Sequence, residues 1–170
     1  YGLVVSLGVV LHGAVLYRDM MTPMGVNYNV FNLISFTSGL MLALSLILSL
    51  IRPILPLNLI GTPVAAIGLI LGYAFSQPNQ VIEQHSLGLD LHIILSLSAY
   101  AVLLMATIHS VLLWFQDREL KKKQKRRIWV NLLPPFQVME SVLFDLIITG
   151  FGLLTAALLF GFFTIDNFFA

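Results

Sequence analysis

The chain has 170 residues, of which 58% are hydrophobic and only 10% are charged, and its formal net charge is +1. Its mean hydropathy of +0.93 is far above that of a soluble domain of this length. It contains no cysteine, which excludes a disulfide, an iron–sulfur cluster and a thiolate zinc site within this chain. These values predict an integral membrane protein.

Apolar segments follow one another along the whole chain. Four are long enough, or nearly so, to cross a hydrocarbon layer of roughly 30 Å at about 1.5 Å per residue, and a shorter one opens the chain. The runs are continuously apolar, whereas barrel strands alternate polar and apolar residues. The sequence therefore predicts an all-α, polytopic helical bundle that forms a single transmembrane domain over residues 1–170. The five predicted helices lie at about 1–17, 30–51, 57–76, 89–115 and 141–165.

The first segment carries His12 and ends before Arg18. It is short for a complete span, and it starts at Tyr1 without an initiator methionine or a basic leader. We therefore expect that the chain is a fragment and that the true amino terminus is missing.

Proline and glycine organise the middle of the chain. Pro53 and Pro56 interrupt the apolar sequence between the second and third segments. Gly68 and Gly72 form a Gly-x-x-x-Gly pattern in the third segment. Such a pattern lets membrane helices approach closely, so we interpret it as ordinary helix packing and assign it no chemistry.

The fourth segment carries His92 near its start and His109 further along. Ionisable residues inside a membrane segment are costly and normally face a protein interior or a pathway. The two histidines are about 25 Å apart along one helix, so a single small site cannot use both. His12 lies a few residues before Arg18, which places His12 and His92 at a similar depth in the same leaflet.

Several kinds of site are compatible with His12 and His92. Two imidazoles at one depth, each with small residues nearby, could hold a flat metal-centred cofactor between helices. Each histidine could instead make only an interhelical hydrogen bond. A zinc site would need a third ligand from His85, Glu83 or Asp90, and a proton path through His92, Asp90 and His85 is a further alternative.

A basic loop over residues 116–131 separates the fourth and fifth segments. The positive-inside rule places this loop on the cytoplasmic side of the membrane and the 18–29 and 76–88 loops on the opposite side. A nucleic-acid interface would need aromatic side chains among the charges, and the loop offers only Trp129, so we predict no nucleic-acid partner. The basic residues are Arg118, Lys121, Lys122, Lys123, Lys125, Arg126 and Arg127.

The fifth segment follows Pro134 and Pro135 and carries Asp145. We interpret Asp145 as a capping or paired interfacial charge, with a place in a functional path as the alternative. The chain contains no carboxylate pair, nucleophile–base set or glycine-rich phosphate loop at a plausible place. These absences argue against an enzyme active site.

Three stretches resemble a known family. The run Leu89–Ala101, with an apolar residue on each side of His92 and then Leu-Ser-Leu-Ser-Ala-Tyr, resembles the histidine-bearing helix of the cytochrome c assembly family, the CcsA/ResC/CcmC-like haem-handling membrane proteins. The run from Leu132 to Phe163, together with Leu11-His12-Gly13-Ala14, is similar to the YpjD/HemX-like branch of that family.

The resemblance implies a protein that holds haem b between helices, with His92 as one axial ligand and His12 as the second. It implies a role accessory to cytochrome c biogenesis or haem homeostasis, with the lipid bilayer and haem-handling or cytochrome assembly proteins as partners. The tryptophan-rich WWD segment of CcsA and CcmC is absent, since Trp114 and Trp129 are the only tryptophans. We therefore expect haem to be held rather than attached to an apocytochrome. The family pattern also implies further helices on both sides of this chain.

Two alternatives from other functional classes remain at this point. One is a non-catalytic membrane subunit that docks a larger complex and whose histidines are structural. The other is a b-type haem electron-transfer subunit. A haem spectrum that depends on His92 would favour haem holding over the docking subunit. Redox turnover with a partner would identify the electron-transfer subunit.

Overall fold

A computed structural model of the chain describes residues 2–23, 25–51, 55–75, 81–82, 87–122 and 133–164. Within these ranges, five helices are long and apolar enough to cross a membrane. This result confirms the predicted all-α, polytopic membrane bundle. The helices are α1 (Gly2–Met20), α2 (Val30–Ile51), α3 (Leu55–Phe75), α4 (Leu87–Leu120) and α5 (Phe136–Thr164).

The observed helices extend beyond the apolar segments, mainly around the basic loop. Helix α4 continues to Leu120 and includes Arg118, and α5 begins at Phe136, directly after Pro135. Hydropathy placed the end of the fourth segment too early and the start of the fifth too late, because the turns next to the basic loop carry charged and polar residues. These turns are nevertheless helical. A proline before the first helical residue fits, since its missing N–H would have no helical partner there.

Helices α4 and α5 form an antiparallel hairpin whose register is marked by three side-chain hydrogen bonds. His92 bonds to the carbonyl of Ala157, His109 to that of Met139, and Gln116 to that of Pro134, each at 2.8 Å. The residue number of the acceptor decreases as that of the α4 donor increases, which is the pattern of two antiparallel segments. All three bonds run from an α4 side chain to backbone.

Helices α2 and α3 form a second antiparallel hairpin, in which serines of α2 face glycines of α3. A Cβ placed on Gly68 would lie 2.0 Å from Ser38 Oγ, and one on Gly72 would lie 2.9 Å from Ser35 Cβ. The glycines are therefore required for this close approach, which confirms the packing interpretation of the Gly-x-x-x-Gly pattern. The Ser38 hydroxyl donates to the Ser35 carbonyl at 3.0 Å, so its polar group is satisfied inside the hairpin.

Helix α1 packs against α2 and α3, and a small antiparallel sheet covers the end of the bundle where α1 stops. The sequence pattern did not predict this sheet. Met21 pairs with Val26, and Val26 in turn pairs with Ile82, so the sheet joins the α1–α2 connection to the α3–α4 connection. We call this end of the bundle the sheet end. The strands are β1 (Met21–Thr22), β2 (Gly25–Asn27) and β3 (Val81–Ile82).

The bundle buries polar side chains beside its apolar core and exposes many large apolar side chains on its outer surface. Buried polar side chains include Asn32, Ser35 and Ser45, whereas Leu3 and Leu50 are more than three-quarters exposed. Inside a bilayer, exposed leucine contacts lipid at no cost, and interior polar groups join helices by hydrogen bonds. The apolar core lies between α2, α4 and α5 and is built around Met41, Ala101, Val102, Met105, Val142 and Leu146.

Candidate functional site

His12 and His92 both lie towards the sheet end. His12 is about two turns before the end of α1, and His92 is little more than one turn after the start of α4. Helix α1 runs directly into β1, and β3 lies on the connection that leads into α4. His109 is several turns further along α4, towards the opposite end. The histidines therefore divide by depth as the sequence spacing indicated.

The imidazole of His12 is inserted between α1 and α2. It is only 3% exposed, and its Nε2 lies 3.0 Å from the carbonyl oxygen of Ser35 and 3.1 Å from Ser35 Oγ. A carbonyl can only accept, so Nε2 carries the proton in this contact. A Cβ on Gly39 would lie 2.8 Å from the same nitrogen, so Gly39 provides the space that the ring fills. Gly8, which lies one turn before His12 on α1, has nothing within 4 Å of an added Cβ.

His92 makes the same kind of contact with α5 through its other nitrogen. Its Nδ1 lies 2.8 Å from the carbonyl oxygen of Ala157, so Nδ1 carries the proton. A Cβ on Gly161 would lie 2.7 Å from this nitrogen, so a glycine again provides space for the ring. His92 is half-buried, in contrast to the nearly complete burial of His12. In a neutral imidazole with Nδ1 protonated, Nε2 holds a lone pair and can bind a metal.

His109 is enclosed in the α4–α5 hairpin. It is 2% exposed, its Nε2–H donates to the carbonyl of Met139 at 2.8 Å, and its buried Nδ1 has no hydrogen-bond partner. The sequence assigned no role to this residue, and its surroundings are those of an interhelical bond in the core. Like His12, it has the lone pair on Nδ1.

The structure does not bring His12 and His92 to a common cavity. His12 lines a groove of 170 Å³ with α2, and His92 turns towards α5. The small residues near His92 on α4 predicted room for a flat cofactor, but α5 covers this side of α4 at two points. His92 contacts Ala157, and Leu103 contacts Gly150. Small residues on this face therefore serve close helix packing along at least this part of the hairpin.

A larger cavity, of 400 Å³, lies beneath the sheet between α1, α2 and α4. We call it the sheet-end cavity. Leu16, Phe36, Ile93 and Leu97 are among the apolar residues that line it, and Asp90 and Tyr28 line one part. Neither His12 nor His92 does. This cavity is a feature that the sequence pattern did not indicate, because its walls come from three separated segments.

Asp90 is held by Tyr28 rather than standing alone at the start of α4. The Tyr28 hydroxyl donates to Asp90 Oδ1 at 2.7 Å. Burial raises the pKa of the Tyr28 phenol, and the hydrogen bond to Asp90 and its negative charge raise that pKa further. The two residues are far apart in the chain, so sequence reasoning paired Asp90 with His92 and His85 and missed Tyr28. His85 and Glu83 lie outside the described residues.

No group of three histidine, cysteine, aspartate or glutamate side chains that could hold a metal ion occurs among the residues that the structure describes. With ligands from the described residues alone, a site built from His12 or His92 would rely on a cofactor that brings its own metal ligands. Haem is such a cofactor, because the macrocycle supplies four nitrogen ligands and the protein only axial ones.

Part of the basic loop is described, and its charges are partly paired. Lys121 lies 2.6 Å from Asp117, and Lys122 contacts Glu119. Arg118 lies over the ring of Trp114 at 5.6 Å. Lys123, Lys125, Arg126 and Arg127 fall outside the described residues. At the other end of the bundle, Arg18 pairs with Asp19 at 3.0 Å.

The profile of the family described as "Cytochrome C assembly protein" matches residues 2–170. No curated protein and no solved structure matches the chain.

Proposed function

Because the chain belongs to the cytochrome c assembly protein family, with a role in cytochrome c biogenesis and haem handling, we propose that it holds haem through His92. Its expected place is the bacterial inner membrane, with the 116–131 loop on the cytoplasmic side. Assignment to the YpjD/HemX-like branch stays a prediction, as do cytochrome assembly proteins as direct partners.

The observation that carries this proposal is the hydrogen bond from His92 to Ala157. Metal-bound histidines usually donate their second ring N–H to a carbonyl or carboxylate, which fixes the tautomer and the orientation of the ring. His92 has this arrangement, with Nδ1 bonded at 2.8 Å and Nε2 left as the basic nitrogen. His12 and His109 use Nε2 in their bonds, so only His92 among these three presents Nε2 as a lone-pair donor.

His12 is the proposed second ligand, but its present contacts with Ser35 and Gly39 must change before its Nε2 can bind a metal. Its Nε2 is engaged by Ser35, and its ring is packed against Gly39. Ligation would require either Nδ1 or a ring that has left Ser35. His92 is therefore the primary ligand in this proposal, and His12 becomes its partner only after such a change.

Haem b would supply an iron centre whose reduction potential depends on its axial ligands and on the polarity around them. The residues of this chain would hold and orient it. Ala157 fixes the imidazole of His92, Gly161 leaves space for that ring, and the apolar helices around them limit access of water. No bond-making step in the chain is required for this role.

The test is a reduced-minus-oxidised absorption spectrum of the purified protein. We expect a b-type haem signal that is lost in His92→Ala and is partly restored by added imidazole. His109→Met is the matched control, because it removes an α4 histidine with the same kind of backbone bond at the other depth, and it should keep the spectrum. His12→Ala tests the second ligand. Size-exclusion profiles report whether each variant is folded.

A second candidate function is a structural membrane subunit that docks a larger assembly. His12, His92 and His109 each bond to a backbone carbonyl of a neighbouring helix, which favours this function. Such a bond satisfies the polar group of a histidine inside the bundle without any cofactor. A colourless, monodisperse wild-type protein, or a haem spectrum unchanged in His92→Ala, would reject the first proposal and leave this one. A haem that turns over with a quinone or cytochrome would instead identify an electron-transfer subunit.

A further inference from the structure

The outward face of the last turns of α4 carries three exposed apolar side chains and one exposed cation. Val111, Trp114, Phe115 and Arg118 follow the i, i+3, i+4, i+7 spacing of a single helical face. The three apolar side chains are between 43% and 54% exposed, and Arg118 is exposed as well. Gln116, between them in sequence, is buried and turns towards the hairpin partner instead. We call these four exposed residues the interfacial face.

The interfacial face lies where α4 leaves the hydrocarbon layer. Helix α4 has 34 residues and is therefore about 50 Å long, more than the layer of roughly 30 Å. Counted from Asp90 in the first turn, about 20 residues cross the layer, so it ends close to Val111. Trp114 and Arg118 then lie at headgroup depth, where tryptophan and basic side chains are enriched in membrane proteins.

The charge around this face is positive. Two nearby carboxylates already contact lysines, since Asp117 lies 2.6 Å from Lys121 and Glu119 contacts Lys122. Residues 123–132, which are outside the described part of the chain, include four basic residues and no acidic one. Wherever their side chains lie, they add only positive or neutral groups. An anionic ligand is therefore the complementary one for this end of α4.

Arg118 is held in a way that leaves its hydrogen-bond donors for a ligand. Its guanidinium lies over the Trp114 ring, 5.6 Å from the ring centre, and that ring packs edge-on against Phe115 with 4.8 Å between centres. A guanidinium stacked on a ring uses its flat face, whereas its five N–H donors point outwards in its own plane. Two of these donors can bind one phosphate group through parallel hydrogen bonds.

We propose that the interfacial face binds an anionic phospholipid of the membrane. The phosphodiester binds to the guanidinium of Arg118, and an acyl chain lies along Phe115, Trp114 and Val111 towards the bilayer centre. A soluble anion would use the cation but not the apolar side chains. A zwitterionic lipid would bring its own cation next to the basic loop. The inference does not depend on haem binding, because the face lies far along α4 from His92.

The test uses Trp129→Phe, in which Trp114 is the only tryptophan, in phosphatidylcholine nanodiscs that contain one brominated lipid. Bromine on an acyl chain quenches the fluorescence of a tryptophan that it contacts. Brominated phosphatidylglycerol should associate about fivefold more strongly than brominated phosphatidylcholine, which is roughly what one basic residue contributes at an anionic surface. This preference should shrink at 1 M salt, where the Debye length is only about 3 Å.

Three variants in the same background separate the site from general charge effects, and each is judged by the ratio of the two lipids. Arg118→Gln should lower the ratio to about one. Arg18→Gln is the matched control at the sheet end, because Arg18 also lies over a ring, that of Tyr73, at 5.6 Å, and it should leave the ratio unchanged. Lys125→Gln removes the same charge from the basic loop and should have a smaller effect than Arg118→Gln.

Several results would overturn the proposal. These are equal association of the two lipids, a preference that survives Arg118→Gln, and equal effects of Lys125→Gln and Arg118→Gln. Displacement of the lipid by free glycerophosphoglycerol, the headgroup without chains, would also overturn it and would assign Arg118 to a soluble anion. If a variant does not fold, native mass spectrometry of the wild-type chain decides, because it should retain phosphatidylglycerol in preference to phosphatidylcholine, and equal retention would reject the site.

Discussion

Nδ1 of His92 and the carbonyl oxygen of Ala157 lie 2.8 Å apart, on two helices that run in opposite directions. The bond gives His92 a structural reason to be in the membrane, and it also sets the tautomer that a metal ligand needs. Structural and ligand roles are therefore not exclusive at this position. What separates His92 from His12 and His109 is the nitrogen that each leaves with a lone pair.

Gly161→Ala should disturb His92 directly. The new Cβ would lie 2.7 Å from Nδ1, so the ring has to move and its bond to Ala157 weakens. We expect a loss of about 1 to 3 kcal/mol of stability, as for other overpacked sites, and a shifted or weakened haem spectrum. Thermal unfolding in detergent and the difference spectrum measure the two effects.

The matched control for that change is Gly152→Ala, where the added Cβ meets nothing within 4 Å. It should be neutral or slightly stabilising, because alanine is the better helix former by up to about 1 kcal/mol. Equal melting temperatures for the two variants would contradict the contact between Gly161 and His92.

Gly39→Ala should destabilise the contact between α1 and α2. Its Cβ would lie 2.8 Å from His12 Nε2 and 2.9 Å from the adjacent ring carbon, and the imidazole is held by Ser35 on the same helix. We expect a lower melting temperature and a loss of about 1 to 3 kcal/mol in the free energy of unfolding, as for Gly161→Ala. Gly8→Ala is the control on α1. A Gly39→Ala protein as stable as Gly8→Ala would show that the ring can move freely.

Gly68 and Ser38 should be strongly coupled. Gly68→Ala alone places a Cβ 2.0 Å from Ser38 Oγ and should separate α2 from α3. Ser38→Gly removes the atoms that obstruct it, so the double variant should recover much of the lost stability. A double-mutant cycle of unfolding free energies should give a coupling of about 1 kcal/mol or more. Additive effects of the two changes would argue against the direct contact.

Tyr28 should make the protein sensitive to alkaline pH. Its pKa is raised in the folded state, so above the usual tyrosine pKa of about 10 the unfolded chain loses a proton that the folded protein keeps. The unfolded state then binds fewer protons, and stability falls as pH rises through the folded pKa. Melting temperatures between about pH 9 and 12 should fall more steeply for wild type than for Tyr28→Phe.

Tyr100→Phe serves as the reference for that experiment, because Tyr100 lies about 15 Å from Asp90 along α4. Its profile should follow that of wild type. Parallel profiles for wild type and Tyr28→Phe would mean that the phenol of Tyr28 is not shielded by Asp90 and the surrounding apolar residues.

Sequence patterns were sufficient for the helices and for the use of Gly68 and Gly72, because span length and small residues are local properties. They missed the sheet, since strands of two or three residues carry no alternating pattern. They also missed Ser35, Gly39 and Gly161 as neighbours of the histidines. Those contacts depend on how two distant helices meet, which periodicity within one helix does not determine.

The choice of ring nitrogen is a further property that no spacing contains. His12 and His92 looked equivalent by depth and by their small neighbours, and they differ in which nitrogen faces a carbonyl. The pairing of Tyr28 with Asp90 was hidden for the same reason. It joins the residue that follows β2 to the first turn of α4, and only the folded chain places them together.

The three bonds that align α4 with α5 have their donors in side chains and their acceptors in the main chain. A substitution on α5 can crowd such a bond, but it cannot delete the acceptor, whereas a single change at His92, His109 or Gln116 deletes a donor. Tolerance to mutation should therefore be unequal across this hairpin. We expect α5 to accept changes of side-chain chemistry within limits of size, whereas α4 has to keep the hydrogen-bond donors of His92, His109 and Gln116.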